Sequence, residues 1–309
     1  MTTIVFPGQG SQFVGMTRDF YENFQLAKET FNLVESVTEI KIKDIIFDNV
    51  DNLLNVTKYT QLAIFCASIS IFKVLNNEIN IDELNINFVL GHSLGEYTAL
   101  TAANSLQIHD CAKLLKIRGE LMHNSYEPNL SGMVAVIGLN CLDVEKILID
   151  NNLNLEIAND NSPKQIVISG TINNLKTSKN IFLDKGAKKY IFLNVSAAFH
   201  SKIMLDAEND MNNYINEVNF ENSIFPIISN YSATSSQNKD VIIKNLSSQM
   251  SNRVRWVESI NFLEQMKENK IIEIGPGRIL TSLIKRISNH FSIFNLENIS
   301  DIDRIKNEF

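Results

Sequence analysis

Along this chain, short unbroken apolar runs alternate with longer stretches in which apolar residues return every third or fourth position. The runs read as buried strands and the stretches as helices packed over them. Thr3-Ile4-Val5-Phe6 is the first run, stopped by Pro7-Gly8-Gln9-Gly10-Ser11-Gln12. Phe24, Ala27, Phe31 and Val34 keep helical spacing within a predicted helix over 20–37, and a second short helix is predicted over 42–47. Residues 57–75 are apolar almost all round, the mark of a helix buried centrally. A second strand ends at Phe88-Val89-Leu90, and a helical pattern opens at Glu96 and runs through Leu100 and Ala103. A further helix is predicted from Gln107 to Asn124.

From Ser131 the pattern changes. Strands at 133–138, 155–158, 165–170 and 189–193 and helices at 142–149 and 172–185 give the order β-α-β-β-α-β, with Asn159-Asp160-Asn161-Ser162-Pro163 read as a turn. That order is ferredoxin-like, and it predicts a small subdomain over 126–193 inserted into a larger α/β body formed by 1–125 and 194–309. Beyond it the pattern predicts a strand at 224–229, with Pro226 at an edge or strand start, and a helix at 241–250. Arg253-Val254-Arg255-Trp256 leads into another helix through Met266. A last strand at 270–274 is followed by a Gly275-Pro276-Gly277 turn, either architectural or bordering the active site, and by a helix at 279–287. The tail from Phe291 carries little signal.

The most specific local feature is Gly91-His92-Ser93-Leu94-Gly95, a G-x-S-x-G pentapeptide between a strand and a helix. In that setting the turn lifts a serine hydroxyl to a helix amino terminus, where developing negative charge is favoured. Ser93 is therefore the candidate nucleophile. His200 is the candidate general base by position, while His92 within the turn reads as a packing or orienting residue. Arg118 has two readings, a solvated helix-surface arginine by default or a guanidinium fork for a substrate carboxylate. The glycine-rich loop around Gln9 reads as a plain turn or as a place where backbone N–H groups approach a ligand.

Composition narrows the class further. The 309 residues are 44% hydrophobic and carry a net charge of -7, which argues against a general nucleic-acid binder. Cys66, Cys111 and Cys141 show no paired spacing, so core packing in a reducing, cytoplasmic setting is expected, with neither disulfide nor metal site. The segment 62–75 is too short to span a bilayer and no signal peptide is evident, so a protein independent of membranes is expected.

These motifs together resemble the malonyl-CoA:acyl carrier protein transacylases along nearly the full chain. The matching segments are Phe6–Gln12, Gly91–Tyr97, Arg118–Met122, Gln165–Gly170, Ala198–Ser201 and Ile274–Gly277. Asn194–Ser201 looks closest to free-standing acyltransferases that serve polyketide synthases in trans. The resemblance implies a hydrolase-like body with a parallel sheet, the ferredoxin-like insert, and a site in the cleft between them. By carry-over, Ser93 is the nucleophile and His200 its base, oriented by a main-chain carbonyl at Gln249. The N–H groups of Gln9 and Leu94 form the oxyanion hole, Arg118 holds the malonyl carboxylate, and His92, Phe199 and Gln249 complete the substrate site.

The resemblance further implies malonyl-CoA as substrate, no bound cofactor, and a monomer working with an acyl carrier protein whose phosphopantetheine thiol receives the acyl group. The pathway served is fatty-acid or polyketide synthesis. Phe199 suggests malonyl over methylmalonyl, although Ala197 stands where polyketide relatives choosing malonyl often carry a histidine. An acyl hydrolase acting on carrier proteins is the alternative function, and a non-catalytic docking module a more distant one. Lys185, Lys188 and Lys189, or Arg253 and Arg255, are the candidate docking patch for an acidic carrier protein.

Overall fold

The computed structural model describes every residue except Asn80, Pro128 and Phe309. In chain order the elements begin with β1 (Thr2–Phe6), α1 (Arg18–Asn23), α2 (Gln25–Thr38), α3 (Ile42–Asp48), α4 (Thr57–Glu78), β2 (Ile86–Gly91), α5 (Leu94–Ala102) and α6 (Ile108–Asn124). Next come β3 (Ser131–Ile137), α7 (Cys141–Asp150), β4 (Glu156–Ser162), β5 (Gln165–Thr171), α8 (Ile172–Asp184) and β6 (Lys189–Phe192). The remainder is α9 (Leu205–Glu217), β7 (Ile227–Ile228), β8 (Ser235–Ser236), α10 (Lys239–Leu246), α11 (Trp256–Gln265), β9 (Lys270–Ile274), α12 (Ile279–Ile287), β10 (Ser292–Leu296) and α13 (Ser300–Glu308).

Two sheets organise these elements. The larger has strand order β10-β9-β1-β2-β7-β8, parallel throughout except for the terminal β7–β8 pair. Its central strands are buried on both faces, which is why they read as largely apolar runs rather than alternations, Glu273 of β9 apart. Pairing of Phe6 with Gly91 brings the loop after β1 and the turn after β2 side by side at the carboxyl edge. Ligands bind at that edge in open parallel sheets.

The smaller sheet, order β4-β5-β3-β6, is antiparallel throughout and has the ferredoxin-like arrangement the pattern predicts. The period of two divides its strands between two environments. Val134, Val136, Ile157, Ile166 and Ile168 build a core under α7 and α8. Met133, Ala135, Ala158 and Val167 turn instead toward the larger body. The sheets meet where Asp160 N–H donates to the Val254 carbonyl and Val254 N–H to that of Ala158, at 3.0 and 2.8 Å.

Several predicted elements need correction. The helix over 20–37 is two helices, broken at Phe24, whose extended backbone turns the chain between α1 and α2. The turn at 159–163 is shorter than the polar residues imply: β4 continues through Ser162, with Asn159, Asp160 and Asn161 buried. The strand over 224–229 shrinks to two residues, and the tail contributes β10, an outer strand of the parallel sheet. Helix α4 runs to Glu78, long and apolar enough to cross a membrane, yet its most apolar stretch is 83% buried inside the protein.

Candidate active site

Strand β2 delivers the chain into a turn that few residue types can follow. A Cβ on Gly91 would lie 2.0 Å from the Gly95 carbonyl carbon, and one on Gly95 would lie 2.3 Å from the Phe6 carbonyl oxygen. Both glycines are therefore required by close backbone approach. Ser93 between them holds φ 53° and ψ -111°, a strained conformation for a residue with a side chain. The turn is clamped by Asn230, whose Nδ2 donates to the Gly91 carbonyl and whose Oδ1 accepts from Ser93 N–H, both at 2.6 Å. Leu94 then opens α5, two residues ahead of the predicted start, and its N–H belongs to the first turn, where no helical carbonyl stands behind it.

The Ser93 hydroxyl lies 2.9 Å from His200 Nε2. The other ring nitrogen, Nδ1, faces the carbonyls of Gln249 at 3.0 Å and Asn252 at 3.2 Å. Two carbonyls can only accept, so Nδ1 carries the proton and Nε2 is left to accept from Ser93. Burial, reinforced by the nearby Arg118 charge, pushes the His200 pKa down to about 3. The imidazole is consequently neutral at neutral pH and able to take a proton. Among the described residues no carboxylate touches it, in contrast to the usual hydrolase triad.

Arg118 departs from its default reading. It is 1% exposed, turned from α6 toward Ser93 rather than toward solvent. One Nη2 donates to Gln249 Oε1 at 2.8 Å and to Ser93 Oγ at 3.1 Å, while Nη1 donates to Gln61 Oε1. The guanidinium also lies 5.4 Å from the Tyr97 ring centroid. Burial lowers its pKa, opposed by Tyr97 and Glu96, but an arginine remains charged throughout the working range. A buried cation thus stands against the hydroxyl of Ser93.

These groups line a cavity of about 310 Å³. Gly8, Gln9, Leu94, Phe199 and Gln61 border it from the larger body, and Met133, Asn159, Asn161 and Val167 from the smaller sheet. Gln9 reaches it because the loop after β1 is tied back, with Ser11 Oγ donating to the Gly8 carbonyl at 2.9 Å. The Gly275-Pro276-Gly277 turn packs on this loop at Pro7 and Ser11, and α12 beyond it supplies Ile279 and Leu280 to the cavity. Phe199 is buried, its carbonyl accepting from Ser169 Oγ at 2.6 Å. His92 also borders the cavity; its Nε2 meets Asn161 Oδ1 at 2.8 Å and its ring lies on Trp256, with centroids 5.5 Å apart. Burial lowers the His92 pKa.

Ser93, His200, Arg118, Gln9, Leu94, His92 and Phe199 thus border one cavity, with Gln249 behind them on Arg118 and the Ser93 carbonyl, and four neighbours escaped the sequence reading: Gln61, Glu96, Asn161 and Asn230. Asn161 was hidden because a polar run carries turn propensity. Asn230 stands just past β7, and polar residues beyond a parallel strand's carboxyl end were a usable signal. Away from the cavity, Arg253 pairs with Glu145 at 2.7 Å and Arg255 with Glu258 at 3.0 Å, so neither offers a free charge. Among the described residues no group of His, Cys, Asp and Glu is arranged to hold a metal ion.

Residues 3–300 match the family described as the acyl transferase domain. The chain is 34% identical over 308 residues to a malonyl CoA-acyl carrier protein transacylase of Staphylococcus aureus, covering 97% of each protein. An acyl-carrier-protein S-malonyltransferase structure from Bartonella henselae matches with 36% identity and a TM-score of 0.95, over 99% of this chain and 98% of that one. A malonyl-transacylase in complex with a type II polyketide synthase acyl-carrier protein matches at 28% identity and a TM-score of 0.94, over 100% and 99%. Likeness of this extent, in sequence and fold alike, settles the kinship: the chain belongs to the acyl transferase family, among the malonyl CoA-acyl carrier protein transacylases.

Proposed function

We propose that this protein moves malonyl from malonyl-CoA to the phosphopantetheine thiol of an acyl carrier protein through an acyl-serine intermediate. The observation that carries the reading is the buried Arg118 guanidinium 3.1 Å from a hydroxyl that is itself 2.9 Å from His200. Ser93 Oγ attacks the thioester carbonyl as His200 Nε2 takes its proton. The oxyanion meets the N–H groups of Leu94 and Gln9, each donor typically worth about 3 kcal/mol of barrier. Ser93 N–H is already engaged by Asn230, which leaves that role to the next residue. Collapse of the intermediate expels CoA thiolate, which recovers the proton from His200.

In the second half-reaction His200 takes the proton of the carrier protein's thiol as its sulfur attacks the acyl-serine, and the proton returns to Ser93 Oγ. Acylation removes the Ser93 hydroxyl as a partner of Arg118, and the malonyl carboxylate takes over that donor. A plain acyl chain supplies no anion there, leaving a buried charge unpaired, which is costly. The same argument weighs against a hydrolase of simple acyl groups. The phosphopantetheine arm arrives with the partner, so no resident cofactor is needed. With Arg253 and Arg255 internally paired, Lys185, Lys188 and Lys189 remain as the docking candidates, all exposed. Three free thiols fit a cytoplasmic enzyme.

An acyl-CoA panel against wild type and Arg118→Ala tests the reading. Wild type should favour malonyl over acetyl, and Arg118→Ala should lose malonyl kcat/KM by about 10²- to 10³-fold, the size expected from losing 3–4 kcal/mol at a charged contact. Undiminished malonyl transfer by Arg118→Ala would refute it.

A further inference from the structure

Glu96 sits in the first turn of α5, yet it is 3% exposed and, among the described residues, makes no direct ion pair. Its Oε2 accepts from Gln249 Nε2 at 2.7 Å and from Asn230 N–H at 3.1 Å. Each donor leads back to the reacting serine. Asn230 clamps the Ser93 turn, and Gln249 donates to the Ser93 carbonyl at 3.0 Å while its Oε1 receives Arg118. One carboxylate oxygen thus underlies both the elbow and the arginine.

A glutamine side chain has nearly the same shape either way round, so its partners alone decide which end is which. In the observed orientation the oxygen faces the guanidinium and the nitrogen faces the carboxylate and a carbonyl. Reversed, nitrogen would face the guanidinium, donor against donor, and oxygen would face two acceptors. The charged acceptor supplies the stronger part of that preference. We propose that Glu96 is a positioning residue: it holds the Gln249 amide in the orientation that offers oxygen to Arg118, and so sets the aim of the donor that meets an acyl carboxylate. The inference rests on the malonyl reading above.

An apolar residue in place of Glu96 would leave the Gln249 amide and the Asn230 N–H without their acceptor, so the two donors, rather than a contact ion pair, are what the carboxylate serves. Burial pushes its pKa up to about 7. Because Oε2 faces two donors, a proton taken up at neutral pH settles on the other oxygen and the acceptor is preserved. Glutamine reproduces that protonated form, with its carbonyl oxygen in place of Oε2, so Glu96→Gln retains the positioning while Glu96→Ala does not.

The test compares acyl-enzyme formation from malonyl-CoA and acetyl-CoA in wild type, Glu96→Ala, Glu96→Gln, Gln249→Leu and the double variant Glu96→Ala/Gln249→Leu. Glu96→Ala should lower the malonyl-to-acetyl ratio of kcat/KM about ten- to a hundredfold, the range that follows misplacement of a binding group. The loss should appear mainly in the malonyl-CoA KM. Glu96→Gln should stay within about threefold of wild type. In the double variant, Glu96→Ala should add little to Gln249→Leu, since both act through one amide. If Glu96→Ala is recovered only as insoluble chain, Glu96→Asp replaces it, its reach shortened by one methylene, with the same direction expected. An unmoved ratio, an equal loss in Glu96→Gln, or additive losses in the double variant would each overturn the inference. A wild type that forms no malonyl enzyme overturns the malonyl reading and this inference with it. A wild type that does, beside variants with an unmoved ratio, overturns the inference alone.

Discussion

In the six-stranded sheet the strands run parallel except for β7–β8, the central ones lie buried, and Ser93, the proposed nucleophile, sits just past the carboxyl end of one of them. In the four-stranded sheet the strands run antiparallel, and what reaches the cavity is side chains of one face, among them Met133, Asn159, Asn161 and Val167. Strand ends release backbone N–H groups and let the chain turn sharply, as it does at Ser93. A sheet face has its amides committed to neighbouring strands and offers only side chains. The contrast separates a part that reacts from a part that walls and orients.

The sharpest way to break that contrast is Ser93→Ala. Transfer should fall by about 10⁴-fold or more, and labelled malonyl-CoA should leave no label on the protein. Stable label on the variant would move the acyl site elsewhere.

A second expectation concerns acid. The His200 pKa lies at about 3 in the folded protein against an ordinary 6.5, so between those values the unfolded chain binds the extra proton. Stability therefore rises with pH through that window and levels above about 6.5, with a slope near 1.4 kcal/mol per pH unit for one group. Glu96, raised to about 7 from 4.5, contributes with the opposite sign between those two values. Comparing wild type with His200→Gln isolates the histidine. The variant should gain stability relative to wild type as pH drops below 6.5, read from urea midpoints, and parallel curves would contradict the buried neutral imidazole.

The smallest effect belongs to the wall. Asn161→Ala removes one hydrogen bond to His92 and should cost about 1 kcal/mol, seen as a few-fold rise in malonyl-CoA KM with little change in kcat. A collapse as deep as that of Ser93→Ala would erase the distinction between the two sheets.

What the sequence made legible follows the same division. The apolar runs located β1, β2 and, around Glu273, β9, and the glycines of the elbow are forced by contacts that any reader of G-x-S-x-G can anticipate. The apolar run along 133–137 was equally plain. Arg118 was not legible as a buried group, because the partners that keep it inside, Gln61 and Gln249, lie 57 and 131 residues away. Asn161 was masked by local propensity that tertiary pairing overrides. The break at Phe24 was invisible since its side chain fits the helical stripe on either side.

The placement of β1 between β2 and β9 has a consequence for how the protein comes into being. Residues 2–6 gain one neighbour once residue 91 is made, but the other only after residue 274. Through nearly two hundred residues of synthesis the central strand therefore keeps an open edge. Sequence-distant pairings of this kind slow folding and expose unpaired strands to aggregation. The loop that carries Gln9 hangs from that strand, so catalytic competence should emerge late and all at once, as a report that the whole chain has closed.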